Sequence, residues 1–188
     1  MQKHLVILGL AITIFSCDKD AEKPQDKKEE ETITTLKLTA TPTSGGTASE
    51  FIYRPEAVPG KAVQIDTVRL IGSTSYRFNL EILDESTNPS KNISEEITEK
   101  AAEHQFFYQP TPAGLITLSA DSMDKDASNL PVGLVTRGVL TSTISSGSLK
   151  VTLRHKPFKT AAGVSQGNIL NAGGSTDIEA NFPVKISQ

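Results

Sequence analysis

From about residue 32 to the C-terminus, apolar and polar positions alternate with a period of two. That pattern predicts strands with one dry and one wet face. Leu36, Leu38 and Ala40 share a face; so do Tyr76, Phe78, Leu80 and Ile82, and so do Leu149, Val151 and Leu153. The clearest run turns Ile178, Ala180, Phe182, Val184 and Ile186 inward and Asp177, Glu179, Asn181 and Lys185 outward. Pro183 falls on the wet face of this run and removes a ladder donor, which predicts an edge strand. Less regular strands are expected near 48–54, 61–71, 114–120 and 131–144. Within 61–71 the apolar phase shifts between Ile65 and Val68, which predicts a bulge at Asp66-Thr67.

One segment departs from this period. Asn92 is a capping residue with Glu95 three positions on, the spacing of a capping box, and Glu96 suits the positive end of a helix. Ile93, Ile97 and Lys100-Ala101 then follow helical spacing to about His104. Phe106, Phe107 and Tyr108 come next, and Pro110 and Pro112 end the run. Short strands at intervals of about ten residues, with turns between them, predict a mainly β protein. The expected architecture is an antiparallel β-sandwich, Ig-like or transthyretin-like, with one short helix near 92–104 packed across an end.

The first thirty residues follow other rules. Lys3 and His4 precede an apolar run from Leu5 to Phe15, and Ser16-Cys17 closes it. The run suits a signal peptide and falls short of the roughly 20 apolar residues that a span requires. Ile14-Phe15-Ser16-Cys17 resembles the lipobox of bacterial lipoproteins, with Phe15 bulkier than its usual occupant. Cys17 is the sole cysteine of the chain, so no intramolecular disulfide and no cysteine-based zinc site can form. Its place at the end of the apolar run predicts cleavage before Cys17 and attachment of membrane lipid to it. The competing reading is an incidental cysteine beside a conventional cleavage site. Residues 1–16 are thus read as the signal, 17–31 as the lipidated cysteine with its tether, and 32–188 as a single domain. Eleven of the fourteen residues 18–31 are charged; such a stretch cannot bury enough apolar surface to offset its ordering entropy. Fully extended, it would hold the domain roughly 45 Å off the bilayer. Asp18-Lys19-Asp20 resembles the charged signal that sends Bacteroidota lipoproteins to the cell surface, with a plain soluble linker as the alternative. The expected location is the outer membrane or cell surface, with the periplasmic face also open.

Composition narrows the chemistry. The net charge of -3 and the absence of a dense basic patch argue against nucleic acid as a partner. Aromatics make up 5% of residues and tryptophan is absent, which argues against a carbohydrate-stacking face or an aromatic cage. There is no G-x-S-x-G elbow and no Gly-rich phosphate loop, so an enzyme is not expected.

Four weaker features remain. Asp121, Asp124, Asp126 and Asn129 crowd one turn and could supply oxygens to calcium, the one cofactor weighed; a polar turn held by its own side chains is the alternative. His104 and His155, with Glu99 and Glu103 nearby in sequence, could bind a transition metal or act as acid and base. Nothing in the spacing brings the two together. The connection 156–175 is long enough to be functional, which makes Arg154, His155 and Phe158 ligand-binding candidates. Phe158, Ile169 and Leu170 could instead cover a sandwich end. Asp66-Thr67-Val68 and Asp121-Ser122-Met123 both resemble the O-glycosylation acceptor of Bacteroidota.

Several stretches together carry a resemblance: Glu95 to Tyr108, Pro131-Val132-Gly133-Leu134, Leu153-Arg154-His155-Lys156-Pro157 and Gly173-Gly174-Ser175-Thr176-Asp177-Ile178. They resemble a family of small flavobacterial lipoproteins of uncharacterised function, over nearly the whole mature chain. Some members carry a name implying a type 1 periplasmic-binding fold. That fold has two α/β lobes, and this chain has neither the length nor the β-α alternation for it. The resemblance implies no functional residues. The function expected is a lipid-anchored binding or interaction module for a protein or glycan partner. A purely structural envelope protein is the alternative, and a hydrolase stands third.

Overall fold

The computed structural model describes residues 31–119, 123–140 and 143–188. Two sheets pack face to face as a β-sandwich. The larger is built from β1 (Thr35–Pro42), β2 (Ser49–Arg54), β3 (Gln64–Ile65), β5 (Ser75–Asp84), β6 (Lys91–Asn92), β8 (Ile116–Leu118) and β9 (Val135–Leu140). Its order is β3-β2-β1-β5-β9-β8, with β6 paired to the end of β5. The smaller sheet has the order β4-β11-β10-β7, from β4 (Val68–Ile71), β11 (Ser175–Ser187), β10 (Ser146–His155) and β7 (His104–Thr111). Among the described residues the strand pairings are antiparallel except for one: β4 runs parallel to β11.

The period-2 faces become the core. Leu36, Leu38, Phe78, Ile82, Leu149, Val151, Leu153, Phe182 and Val184 are buried between the sheets in one cluster. Removing any one of these large side chains costs about 2–5 kcal/mol, because the cavity left behind collapses only in part. Tyr53 of the larger sheet meets Phe182 of the smaller edge to face, with ring centroids 5.7 Å apart. The core therefore lies where the alternation placed it.

Two sequence expectations are corrected, and one strand is added. Asp66-Thr67 is not a bulge: β3 pairs with β2 in one sheet and β4 with β11 in the other, so the chain changes sheets there. The Asp66 carboxylate accepts from the Ile52 N–H at 2.8 Å and finishes the edge that β3 leaves. The last strand, β11, is not an edge, because β10 and β4 flank it. Ile186 N–H donates towards the β10 side, to Ser145; alternation turns the donor-less Pro183 nitrogen towards β4. Pairing with β4 begins only at Val184, so no bond is lost. Finally, Phe106 to Tyr108, to which the sequence assigned no strand, form the middle of strand β7, paired with β10 from Ser148↔Thr111 to His155↔His104.

The helix is shorter than the 92–104 expected. Asn92 caps it by accepting from Ser94 N–H at 3.0 Å, and α1 runs Ile93–Glu99. A 3-10 turn, Ala101–Glu103, then leads into β7 at His104. Glu95 does not close a capping box; its carboxylate accepts from the Asn92 side chain at 3.4 Å. Glu96 instead bonds Lys91 and Lys100 at 2.9 and 2.8 Å. Ile93 and Ile97 seal one end of the core. Glu31, the first described residue, reaches Lys100 at 3.6 Å, so the chain enters the domain at this helix end.

Candidate functional site

The acidic turn is held by bonds to its own backbone and to Lys159. One carboxylate oxygen of Asp124 accepts from Gly133 N–H and Val135 N–H at 2.9 and 2.8 Å. Asp126 accepts from Ser128 and Leu130 N–H at 2.9 and 3.0 Å, and its second oxygen takes Lys159 Nζ at 2.9 Å. Burial works against the charge on Asp126, but these donors outweigh it and hold the carboxyl below its usual range. Asn129 adopts φ +62 and shapes the turn. One oxygen of Asp124 and both of Asp126 thus already accept from amides and an ammonium, as in a polar turn held by its own side chains. Asp121 and Ser122 lie outside the described residues, as do Cys17 and the expected leader and tether up to residue 30. Thr67 is half-buried at the crossover between the sheets.

The connection 156–175 packs down instead of standing open. Val164 and Ala172, with Ala161 and Ile169 beside them, cover Phe107 on the outer face of β7. Lys159 pins this flap: its ammonium bonds Ala101 C=O at 2.7 Å as well as Asp126, and the side chain is almost wholly buried. Burial pulls Lys159 below the ordinary lysine range, with Asp126 opposing. The satellite core therefore sits on a sheet face and not on a sandwich end. Phe158 and Leu170, expected to join it, are 66% and 86% exposed. Of the ligand-binding candidates, Arg154 and Phe158 both lie against Gly173, while the His155 ring turns elsewhere. Arg154 donates to Gly173 C=O and Thr176 Oγ1 at 3.0 and 2.5 Å, whereas His155 joins the residues beside the helix.

There a side-chain cluster forms that spacing alone did not reveal. The antiparallel register of β7 and β10 places His155 directly opposite His104. Their rings stack with centroids 5.0 Å apart and planes within 10°. Of the three histidines in the chain, these two lie in the sandwich and His4 lies outside the described residues. His104 is buried and its Nδ1 lies 3.1 Å from Lys100 C=O. A carbonyl only accepts, so Nδ1 carries the proton and Nε2 keeps the lone pair. That Nε2 faces Asp177 Oδ2 at 3.9 Å. Burial lowers the His104 pKa below the ordinary histidine value, with the Lys100 carbonyl acting the other way. His155 Nε2 meets Glu103 Oε2 at 3.3 Å, a contact that holds the Glu103 carboxyl below its usual range.

Asp177 was read from the sequence as solvent-facing, and this too is corrected: its side chain is 10% exposed. The β10–β11 register shifts between Leu153 and Arg154, which pair with Ile178 and Thr176. Asp177 is the extra residue of a bulge and leaves the wet face. Gly174 prepares that geometry, since its φ of +67 and a 2.1 Å approach of the His155 carbonyl to any added Cβ exclude other residues. One donor atom each from His104, His155 and Asp177 lie within 4.8 Å of one another, a set able to hold a metal ion. A single strand cannot reveal a bulge, so Asp177 left no signal in the sequence; the histidines were visible but unplaced.

Two hollows mark the surface among the described residues. One of about 180 Å³ is lined by Tyr108, Pro110, Ile116, Leu118, Met123 and the flap residues Gln166 and Gly167. The other, an open depression of about 670 Å³ at the end opposite the helix, is lined by Gly72, Ser73, Thr143 and Gln188. No described helix is long and apolar enough to cross a membrane. Comparison with known proteins finds no matching family model, no matching curated protein and no matching solved structure.

Proposed function

We propose that this chain is a lipid-anchored protein of the outer membrane or cell surface, acting without catalysis as an interaction module for a protein or glycan. The observation that carries the reading is the place where the tether joins the sandwich. Glu31 lies against Lys100 at the helix end, and β1 then runs eight residues from Thr35 to Pro42, about 25 Å at strand rise. A chain anchored through Cys17 would thus present the loops at the Pro42 end away from the bilayer. The open depression at Gly72, Ser73 and Thr143 lies there. The recess under the flap, about 180 Å³, is smaller than the roughly 300–1,000 Å³ typical of small-molecule sites, which favours a surface partner. The resemblance to small flavobacterial lipoproteins supports the same anchor. The purely structural alternative draws on one observation, the packing of the 156–172 flap onto Phe107 rather than around an apolar cleft.

Two measurements test this. Cys17→Ser should abolish incorporation of labelled fatty acid and release the protein from the membrane pellet; retention equal to wild type refutes the anchor. Ser73→Arg with Thr143→Arg should weaken cross-linking of the anchored protein to envelope components in its own cells, with the circular dichroism unchanged. Unaltered cross-linking favours the structural role.

A further inference from the structure

Going beyond that reading, we infer that His104, His155 and Asp177 form a binding site for one divalent transition-metal ion of the zinc type. Three elements of the smaller sheet bring the donors together: the first residue of β7, the last of β10 and the bulge of β11. Two neutral imidazoles and a carboxylate form a donor set that suits zinc, copper or nickel and not calcium or magnesium, which take oxygen ligands.

The lone pairs are set by their neighbours. His104 donates Nδ1–H to the Lys100 carbonyl, leaving Nε2 to bind, and this is the backbone contact that commonly orients a metal-ligating histidine. Glu103 accepting from His155 Nε2 leaves Nδ1 as the lone-pair nitrogen of the second ring, a carboxylate–histidine pairing of the same kind. Between His104 Nε2 and Asp177 Oδ2 the 3.9 Å gap is too long for a hydrogen bond. It sets an imidazole nitrogen and a carboxylate oxygen close enough for both to reach one ion, with a donor atom of His155 inside the same 4.8 Å. Tetrahedral bonds of about 2.0–2.1 Å put ligand atoms about 3.3 Å apart. The gap must therefore close by roughly half an ångström.

The stacked rings must also open, because each lone pair lies in its ring plane. His155 is the ring that can turn, since its side chain is 20% exposed and Glu103, on which it rests, is 46% exposed. Three protein ligands leave a fourth position for water. The ion would tie β7, β10 and β11 together beside the point where the tether enters.

The test uses the full-length lipidated protein, stripped with chelator and held in detergent. It is titrated with zinc while melting is followed, and with cobalt, whose visible absorption reports tetrahedral coordination. The expected result is one ion per chain, with a raised melting temperature on zinc. Asp177→Asn and His155→Gln should each weaken binding by at least about tenfold, and the exposed control Glu179→Gln should not. Because replacing buried His104 can unfold the sandwich, the two less buried ligands carry the test, with circular dichroism confirming their fold. Absence of saturable binding at one ion per chain, or unchanged affinity in both variants, overturns the site.

Discussion

The polar cluster at one edge of the larger sheet makes a quantitative prediction. Glu85, 7% exposed, accepts from Thr35 Oγ1 and Arg54 Nε at 2.6 Å each and pairs with Lys61. Arg54 is itself buried and donates onward to Ala62 C=O at 3.2 Å. Burial alone would raise the carboxyl pKa of Glu85; the bonds from Lys61, Thr35 and Arg54 outweigh it and bring the value from 4.5 down to about 2. A depression of that size is worth about 3 kcal/mol of folding stability, at about 1.4 kcal/mol per unit. The group is ionised in both states above the unfolded value, so its contribution is complete there. It fades as pH falls from about 4.5 towards 2, where the folded carboxyl at last binds its proton. Glu85→Gln removes the charge and leaves the Arg54 guanidinium buried beside a neutral amide. The variant should therefore lose about 3 kcal/mol at pH 7. Urea unfolding of both proteins, from pH 7 to pH 3 at fixed ionic strength, gives the difference free of the other carboxylates, which cancel. That difference should be flat down to about pH 5 and then shrink by up to about 1.4 kcal/mol per pH unit. A gap that stays constant with pH, or one near zero at pH 7, would refute the reasoning.

Two further outcomes follow from the site geometry. Lys159→Ala leaves the buried Asp126 carboxylate without its ammonium and frees the flap from Ala101; it should cost about 3–5 kcal/mol. Amide exchange should quicken across 158–172 more than in β1 or β5, and uniform quickening would contradict a local pin. Calcium at millimolar concentration should leave the melting temperature unchanged, because Asp124 and Asp126 already accept from amides and lysine. An upward shift that Asp126→Asn abolishes would restore the cation reading.

How far the fold could be read in the chain depends on how many faces of each strand are dry. β1, β5 and β11 have one buried face and one wet face along most of their length, and period-2 alternation exposed them. β7 has the burial of an interior strand on both sides: Phe106 and Tyr108 enter the main core and Phe107 the satellite core under the flap. With both faces apolar, its residues carry no alternation to mark a strand. The cover that hides the strand lies some fifty residues downstream, so no local window contains the cause. The crossover at Asp66-Thr67 misled for a related reason. A phase shift marks a change of face, but changing sheets and bulging within one sheet produce the same change in sequence.

The candidate metal centre carries that lesson to side chains. His104 and His155 were visible as residues, yet what joins them is the register of β7 on β10, a property of two strands far apart in the chain. Asp177 is subtler still. An uninterrupted β11 would turn it to solvent, as its place opposite Ile178 suggested. One extra residue against Leu153 and Arg154 ends the alternation there and delivers the carboxylate to the histidine end of the sandwich. The bulge gives up regular pairing at that point of the ladder, and Ile178 is only half-buried as a result. A strand selected for core packing alone would have no use for that loss. The bulge is therefore physically intelligible as the device that aims Asp177 at His104, and it ties the irregularity of the fold to the chemistry inferred for the cluster.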